Sequence, residues 1–299
     1  MEAFESKKVK WLVTGAEGQL GQTFLAELTM RGYEVNSFGS KDLDITDKNR
    51  VLDVVTSLAP DVLLNAAAWT DVEGAEINRD KAFSVNKFGV ENLVTALSIV
   101  NSIFVHISTD YVFSGESKKP WLENSPQFPK SVYGLSKSAG ENSIKDIYSE
   151  KSYIVRTSWL YSEYGKNFVK TICKISLMSE KEIEVVDDQI GQPTNAHDLS
   201  SQIISLVNSN AEYGAYHGTN SGEATWFELA QEIFRLCGEN VERVIPITTL
   251  NYSSNVIRPK YSVLSHGSWA DAQLEPMRPW RESLRSLIPE IIANVKAEG

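Results

Sequence analysis

The stretch that decides the fold runs from residue 9 to residue 31 and reads VKWLVTGAEGQLGQTFLAELTMR. It begins with a short apolar run, passes through glycines spaced GxxGxxG, and continues with apolar residues at helical spacing. This order of strand, glycine turn and helix is typical of the opening of a βαβ unit. Gly15 allows a tight turn, Gly18 lets a pyrophosphate approach the main chain, and Gly21 lets the helix pack close to the strand. The free N–H groups and positive dipole at the helix N-terminus favour phosphate, so the motif predicts nucleotide binding.

The alternation of strand and helix continues through the first half of the chain. Short continuous apolar runs of this kind suit strands buried on both faces of a parallel sheet. Strands that alternate with helices predict an α/β fold of the Rossmann type, a doubly wound parallel sheet. The strands are predicted at 9–14, 33–38, 61–68, 103–108 and 153–159, and the helices at 19–31, 47–58, 79–100, 132–149, 165–179, 196–209, 225–237 and 281–296.

The second half is less regular, with a strand near 183–187 and a stretch richer in Pro and Ser from 245 to 279. It predicts a smaller C-terminal α/β domain that holds the substrate. We expect an NAD(P)-binding Rossmann domain over 7–158 plus about 183–210. The substrate domain is then expected over about 159–182 plus 211–299, and two domains suit a chain of 299 residues.

Composition and charge exclude several classes of protein. The chain is 42% hydrophobic and carries a formal net charge of −10, so it is globular and a poor partner for nucleic acid. No segment approaches the roughly 20 apolar residues of a membrane span, and MEAFESKKVK has no apolar stretch of the signal-peptide type. We therefore expect a cytoplasmic protein that does not enter membranes. Cys173 and Cys237 are predicted to be buried free thiols, and the four histidines lack metal-ligand spacing.

Two short motifs carry the chemistry of a ketone reductase. Thr109, in the segment STDY at 108–111, follows a predicted strand, and the carboxyl ends of parallel strands face the ligand crevice. Tyr133 and Lys137 are four residues apart on a predicted helix, so they share one face. Hydride transfer to a ketone leaves charge on oxygen, which a tyrosine can protonate if a neighbouring ammonium lowers its pKa. A hydroxyl from Thr109 or Ser108 can orient that oxygen.

The sequence leaves the choice between NADH and NADPH open. A fold that prefers NAD often carries an acidic residue at the end of the second strand, where this chain has Ser37-Phe38-Gly39-Ser40. No arginine lies there to bind a 2′-phosphate, although Lys41 is near. Asp44 can lie beside the adenine, or it can serve as a loop or cap carboxylate.

At this point the residues resemble a known family over residues 9 to about 290, that of the dTDP-4-dehydrorhamnose reductases, in the extended short-chain dehydrogenase/reductase superfamily. The matching strings include TGAEGQLG, PDVLLNAAAWT, HISTDYVFSG, VYGLSKSAGE, VRTSWLYSEYGKNFV and VVDDQIGQPT. The resemblance implies the catalytic residues Thr109, Tyr133 and Lys137. It implies cofactor contacts by Gly15, Gly18, Gln19, Leu20, Gly21, Asp44, Ile45, Ala66, Ala67, Ala68, Tyr133 and Lys137. It implies substrate contacts by Thr70, Thr109, Asp110, Tyr111, Trp159, Asn167 and Arg258.

The implied reaction is reduction by NADPH or NADH of the 4-keto group of dTDP-4-dehydro-β-L-rhamnose, which gives dTDP-β-L-rhamnose. Three alternatives stay open. The first is a reductase of another nucleotide 4-keto-6-deoxy sugar. The second is a sugar nucleotide epimerase, which the substrate-side strings fit less well than a reductase. The third is a non-catalytic regulatory subunit that resembles the one of methionine adenosyltransferase. The intact set of Thr109, Tyr133 and Lys137 favours an enzyme. Some members of the family bind Mg²⁺ through acidic residues at a dimer interface. Such ligands are not recognisable in this sequence, so it leaves both Mg²⁺ and a homodimer open.

Overall fold

A computed structural model describes residues 9–252 and 256–298, so the predicted domain limits at residues 7 and 299 lie outside the described residues. The strands, in chain order from β1 to β12, are Lys10–Thr14, Glu34–Phe38, Val62–Asn65, Ile103–Thr109, Ser152–Thr157, Leu160–Tyr161, Ile183–Val186, Ile190–Gly191, Thr194–Asn195, Gly214–His217, Ala224–Thr225 and Val244–Ile247. The α-helices, from α1 to α11, are Gln19–Met30, Lys48–Leu58, Val72–Ile77, Arg79–Phe83, Val90–Val100, Val132–Tyr148, Phe168–Met178, Ala196–Val207, Trp226–Cys237, Gly267–Asp271 and Trp280–Glu298.

The central feature is a six-stranded sheet in the order β2-β1-β3-β4-β5-β10, and every neighbouring pair in it is parallel. From β1 the chain moves outward to β2 and then crosses back to β3 on the other side. The topological switch point therefore lies between β1 and β3, where ligands bind at the carboxyl ends of the strands in open α/β sheets. The predicted doubly wound Rossmann-type sheet is confirmed.

Both faces of the sheet are covered by helices, as continuous apolar strands require. One face packs Trp11 and Val13 of β1 against α1 and α8, with residues such as Phe24 and Ile203. The other face packs Leu12 and the neighbouring strands against α2, α5 and α6. Alternate residues of β1 thus point to opposite cores, which fixes the register of the sheet at its centre.

A third apolar core belongs to the later part of the chain. It is formed by α7, α9 and α11 together with short strands, and its members include Ile172, Phe234 and Leu287. In this region β7 pairs in parallel with β12, although 183–210 was predicted to belong to the Rossmann domain. Conversely β10, predicted within the substrate domain, is the edge strand of the central sheet beside β5. Strand pairing depends on contacts between residues distant in sequence, so a short apolar run predicts a strand without predicting its partner.

The predicted helix at 79–100 differs in one respect from the structure. Between α4 and α5 the chain forms a π-helical segment, Ser84–Gly89. Its extra residue per turn carries the buried Asn86 inward, where the side-chain amide accepts from Trp69 N at 2.8 Å and donates to Ser136 Oγ at 2.9 Å. The π-helical segment therefore ties the loop after β3 to the helix that bears Tyr133, as such segments often do near functional sites.

Local signals in the sequence explain where the important helices begin. Ser131 caps α6 by accepting from Gly134 N, and Asn167 caps α7 by accepting from Lys170 N. Thr225 and Glu228 form a capping box at the start of α9. Such caps satisfy N–H groups that have no partner within the helix.

Two further findings concern the cysteines and the membrane. Cys173 is buried and Cys237 is half-buried, both are free, and their Sγ atoms lie 3.6 Å apart. The prediction of two buried thiols is therefore correct only for Cys173. Over the part of the chain that the structure describes, no helix is both long enough and apolar enough to cross a membrane.

Candidate active site

A cavity of about 840 Å³ opens at the carboxyl ends of β1, β3 and β4. All of the residues predicted from the sequence line it. They are Gly15, Gly18, Gln19, Leu20, Gly21, Asp44, Ile45, Ala66, Ala67, Ala68, Thr70, Thr109, Asp110, Tyr111, Tyr133, Lys137, Trp159, Asn167 and Arg258. The cavity also has lining residues that the sequence reasoning did not single out, among them Trp226 and Val85.

The glycine turn has the geometry that a close backbone approach requires. Gly15 has φ of +72°, and a Cβ on it would lie 2.5 Å from the backbone of Ala66 and Ala67. Gly21 packs so closely on the Gly15 carbonyl that a Cβ there would also collide with it. Gly18 begins α1 with no side-chain cap, so the first N–H groups of the helix face no competing side chain. These features fit a pyrophosphate bound at the N-terminus of α1.

Thr109 is the last residue of β4, and its hydroxyl is hydrogen-bonded to the side chain of Asp110. Its hydroxyl donates to Asp110 Oδ1 at 2.9 Å and accepts from Tyr111 N at 3.2 Å. The second oxygen of Asp110, Oδ2, is buried, and within residues 9–252 and 256–298 it has no hydrogen-bond partner. Burial raises the pKa of Asp110 to about 6, and the bond from Thr109 opposes this in part. Oδ2 therefore makes no hydrogen bond of good geometry, although the nearby Ser262 side chain also lowers the pKa of this carboxyl group.

Tyr133 is half-buried and lines the cavity, with its ring packed edge to face against Tyr111 at 5.6 Å. Burial raises the pKa of its phenol, a hydrogen bond with Thr109 lowers it, and Asp110 raises it further. Lys137 is not among the groups that shift this pKa in the structure, so the lowering that we expect from its ammonium stays a prediction. A raised pKa nevertheless keeps the phenol protonated at neutral pH, which is the state a proton donor needs.

Lys137 is buried below Tyr133 on α6, and its amine has two close partners. Its Nζ donates to the carbonyl of Ile107 at 2.6 Å and lies 3.2 Å from His106 Nε2. Burial lowers the pKa of Lys137 to about 8, while Glu141 raises it. His106 was not predicted as a site residue, because a single histidine inside an apolar strand carries no spacing signal.

The buried ion pair of Glu141 and Arg156 distinguishes the hydroxyl of Ser108 from that of Thr109. Glu141, one turn after Lys137, is held by two bonds from Arg156 at 2.9 and 2.7 Å, and Ser108 donates to it at 2.6 Å. Ser108 Oγ is therefore engaged away from Tyr133, whereas Thr109 interacts with the phenol. Of the two hydroxyls that the sequence allowed, Thr109 has the suitable position.

The opposite wall of the cavity is aromatic and polar. Trp159 stacks on Trp226, while Asn167 Nδ2 donates to Gln19 Oε1 at 2.9 Å. Asn167 thus links the cap of α7 to the glycine turn. Arg258 Nη2 lies 3.3 Å from Glu73 Oε1, and no hydrogen-bond partner for the buried Arg258 Nε is found among the described residues. The guanidinium therefore keeps a donor available for a ligand.

Asp44 has a local role beyond its place in the cavity wall. Its Oδ1 accepts from both the N–H and the hydroxyl of Thr46, which closes the turn that follows β2. Both interpretations of Asp44 left open by the sequence are thus compatible with its position. Within residues 9–252 and 256–298, no group of three His, Cys, Asp or Glu side chains is placed to hold a metal ion, so Mg²⁺ gains no support.

The chain is similar to known proteins over most of its length. Residues 9–292 match the family model described as RmlD substrate binding domain. The chain is 41% identical to dTDP-4-dehydrorhamnose reductase of Streptomyces griseus, with 94% of each chain covered. It is 40% identical to dTDP-4-keto-6-deoxy-D-glucose reductase of Streptomyces niveus, with 95% of this chain and 98% of the relative covered.

A solved structure shares the whole architecture. The dTDP-4-dehydrorhamnose reductase of Bacillus anthracis in complex with NADP superposes with a TM-score of 0.91 at 39% identity, over 95% of this chain and 99% of that one. UDP-glucose 4-epimerase of Thermus thermophilus has a TM-score of 0.80 at 20% identity, which shows the fold alone. The expected resemblance is confirmed, and the chain belongs to the RmlD family, that of the dTDP-4-dehydrorhamnose reductases.

Proposed function

We propose that this chain is an NAD(P)H-dependent reductase that converts dTDP-4-dehydro-β-L-rhamnose to dTDP-β-L-rhamnose. The observation that carries the proposal is the meeting of Thr109, Tyr133 and Lys137 in the cavity that also contains the glycine turn. The names of the relatives at about 40% identity supply the substrate class. A regulatory subunit without catalysis would have no need for this set of side chains in one cavity.

The turn after β1 fits a dinucleotide. Gly15, Gly18 and Gly21 leave the main chain accessible, and Ala66 to Ala68 pass along the same edge of the sheet. Gln19 and Leu20 in the first turn of α1 would contact the pyrophosphate, with Asp44 and Ile45 at the adenosine end. When bound, the nicotinamide supplies the hydride that reduces C4 of the sugar.

Tyr133 would donate the proton that the C4 oxygen needs. Thr109 would hold that oxygen by a hydrogen bond and thereby set the distance to the phenol. Lys137 would donate a hydrogen bond to the nicotinamide ribose and stabilise the phenolate that remains after the transfer. The proton is replaced from solvent, so the phenol is restored for the next turnover.

The sugar nucleotide would lie between the aromatic wall and the polar residues opposite. Trp159 and Trp226 offer a flat apolar surface for a deoxysugar or a base. Asp110 Oδ2 would accept from a sugar hydroxyl, which would end its lack of a partner. Arg258 Nε would donate to a phosphate oxygen. Thr70, Tyr111 and Asn167 complete the proposed substrate contacts.

The same proposal includes a separate substrate domain, a cytoplasmic location and a homodimer. The separate apolar core of α7, α9 and α11 supports a substrate domain distinct from the sheet that binds the cofactor. A cytoplasmic location and a homodimer rest on the family resemblance. Light scattering of the purified chain tests the dimer directly, because a monomeric mass at working concentrations contradicts it.

A panel of nucleotide 4-keto sugars tests the reaction. The purified chain is mixed with NADPH or NADH and each sugar, the loss of nicotinamide absorbance is followed, and product stereochemistry is read by NMR. We expect fastest turnover with dTDP-4-dehydro-β-L-rhamnose and a product with the L-rhamno configuration. Tight cofactor binding without oxidation for any sugar in the panel would contradict the proposal and favour a regulatory protein.

The Streptomyces niveus relative favours a second candidate, a reductase of another dTDP-4-keto-6-deoxy sugar. The same proton donor and cofactor would serve that reaction, because both sugars carry the 4-keto group and differ only in configuration at other ring carbons. The panel therefore includes dTDP-4-keto-6-deoxy-D-glucose, and a higher kcat/KM for it would assign the second activity.

A further inference from the structure

Thr157 carries a buried hydroxyl that the proposed reaction does not use. It is the last residue of β5, its side chain lines the cavity, and the residue is only 8% exposed. Among the residues that the structure describes, its Oγ1 has no hydrogen-bond partner. A buried hydroxyl that has lost its bonds to water destabilises a fold unless another group replaces them. Because this hydroxyl lines a cavity, a bound ligand can supply the missing bond.

The register of the central sheet places Thr157 directly beside Thr109. The two residues are Cα partners at the carboxyl ends of β5 and β4, which pair in parallel. Successive side chains of a strand alternate between the two faces of a sheet, and partners in a parallel pair share a face. Two residues earlier on each strand, Val155 and Ile107 pack into the same core, between the sheet and α1 and α8. Thr109 and Thr157 therefore lie side by side on one face, at the floor of the cavity.

The order of the strands indicates which end of the cofactor would reach this position. In the proposed complex the adenosine lies by Asp44 after β2, the pyrophosphate lies at the turn after β1, and the cofactor then passes residues 66–68 after β3. Neighbouring strands are about 4.8 Å apart, so each of these steps moves one strand further across the sheet. The nicotinamide would come next, at the ends of β4 and β5, where Thr109 and Tyr133 would hold the sugar oxygen.

We propose that the Thr157 hydroxyl binds the carboxamide group of the nicotinamide and thereby fixes the ring beside Thr109. The inference rests on the proposed function and extends its cofactor site by a residue of β5. A carboxamide has one acceptor oxygen and one NH₂ donor, and a hydroxyl can bond to either of them. The bond would give Oγ1 the partner that the described residues do not supply. Thr157 would thus be a cofactor-binding residue that transfers no proton.

Burial and charge favour the carboxamide over the other groups that the cavity would hold. Phosphates bind best to cations and to backbone N–H groups, whereas a neutral hydroxyl suits an uncharged amide. The cofactor would lie directly on the strand ends, and the sugar nucleotide would lie further out, against Trp159 and Trp226. The neighbouring hydroxyl of Ser158 is already bound, because its Oγ donates to the carbonyl of Gln192 at 2.9 Å. Thr157 therefore offers a hydroxyl to the group that lies deepest at the end of β5.

Thr157→Val tests the contact, because valine has nearly the same shape and lacks the hydroxyl. Calorimetric titration of the whole chain measures the dissociation constants of NADPH and of 2′-phospho-ADP-ribose, a fragment without nicotinamide. NADH and ADP-ribose form a parallel pair. We expect the variant to bind the intact cofactor about three- to tenfold more weakly, as for one lost hydrogen bond, and to bind the fragment with unchanged affinity. Thr157→Ser retains the hydroxyl and should bind both molecules as the wild-type chain does.

Thr219→Val is the matched control, because Thr219 is also buried but is not among the residues that line the cavity. Its hydroxyl donates to Gln192 Oε1 at 2.9 Å, so the substitution removes a hydrogen bond within the protein. It should lower the melting temperature and leave both dissociation constants unchanged. Thr157→Val should not lower the melting temperature of the ligand-free chain, because the described residues give its hydroxyl no hydrogen bond to lose.

Unchanged affinity for the intact cofactor in folded Thr157→Val overturns the proposal, and so does equal weakening of cofactor and fragment. Weaker binding of dTDP-β-L-rhamnose with normal binding of the cofactor would assign the hydroxyl to the sugar and overturn it as well. If the valine variant does not fold, Thr157→Ala provides the same comparison. The titrations with cofactor and fragment contain no sugar. The expected result combined with failure of the whole sugar panel would therefore remove the proposed reaction but keep the carboxamide contact.

Discussion

The indole rings of Trp159 and Trp226 stack face to face, with centroids 3.6 Å apart and planes 13° from parallel. Trp159 follows β5 and has φ of +47°, while Trp226 is the first residue of α9. Gly191 permits the stack, because a Cβ there would lie 2.6 Å from the Trp159 ring. Two elements distant in sequence thus build one flat wall of the cavity.

Removal of the second indole tests whether this wall holds the sugar nucleotide. We expect Trp226→Ala to raise KM for the sugar nucleotide by about two- to tenfold, because stacked aromatic pairs contribute about 0.5–1.5 kcal/mol. Steady-state kinetics with saturating cofactor measures the change. Phe227→Ala is the control, because Phe227 packs into the apolar core of α7, α9 and α11 and does not line the cavity. It should lower the melting temperature and leave KM unchanged; equal effects on KM in the two variants would contradict a substrate role.

Loss of the phenol hydroxyl tests the proton donor. We expect Tyr133→Phe to bind NADPH normally and to lower kcat by about 10² to 10⁴-fold, the usual contribution of a general acid. Rapid-mixing kinetics and cofactor titration measure the two effects separately. Tyr111→Phe removes a hydroxyl from the neighbouring ring, 5.6 Å away, and should affect KM more than kcat. Wild-type turnover in the Tyr133 variant would exclude its assigned role.

The raised pKa of Asp110 predicts a pH-dependent cost in stability. A carboxyl whose folded pKa rises from 3.8 to about 6 favours the folded state below about pH 4, and this contribution is lost as pH rises through 6. Asp110→Asn removes the ionisation, so the free energy of unfolding at pH 7 should increase by about 1–3 kcal/mol. Substrate affinity should fall, because the amide nitrogen cannot accept a sugar hydroxyl. Denaturant unfolding at pH 4 and pH 7 checks the prediction; an equal gain at both pH values would contradict the assigned cause.

The carboxylate of Glu17 bears on the choice of cofactor. Glu17 is exposed beside Gly39 at the carboxyl end of β2, so closely that a Cβ on Gly39 would lie 2.6 Å from Glu17 Cδ. An adenosine ribose bound there would place a 2′-phosphate near this charge. We expect Glu17→Gln to lower KM for NADPH about two- to fivefold relative to NADH, with a smaller effect at high salt. Glu34→Gln makes the same charge change at the other end of β2 and should alter neither KM.

Alanine substitutions at Gly15 and Gly18 should differ in their effect on folding, although both should weaken cofactor binding. Gly15→Ala should lower the melting temperature and abolish cofactor binding, because positive φ and backbone contacts at 2.5 Å both oppose a Cβ. Gly18→Ala places its Cβ 3.2 Å from one carbonyl oxygen and has negative φ, so the chain should fold. Its cofactor affinity should nevertheless fall, because the methyl group occupies the approach of the pyrophosphate. Normal NADPH affinity in folded Gly18→Ala would show that the pyrophosphate binds elsewhere.

The residues predicted from short sequence motifs line one cavity in the structure, while their roles stay predictions. The GxxGxxG turn depends on backbone access, and Tyr133 and Lys137 depend on helical spacing, so both can be read from short strings. The Asn65–His106 contact escaped prediction because its two members come from different strands and neither has a motif of its own. Trp226 escaped for the same reason, since its partner Trp159 lies in another element.

The sequence by itself determined the doubly wound sheet, the place of the glycine turn and the chemical type of the site, because these follow from hydrophobic periodicity and from spacing within single elements. Only the tertiary structure decided that β10 closes the central sheet, that Ser108 is bound to Glu141 whereas Thr109 is bound to Asp110, and that Lys137 lies against His106. The physical reason is that hydrogen-bond partners and charges are assigned by distances between elements, which short-range patterns do not encode.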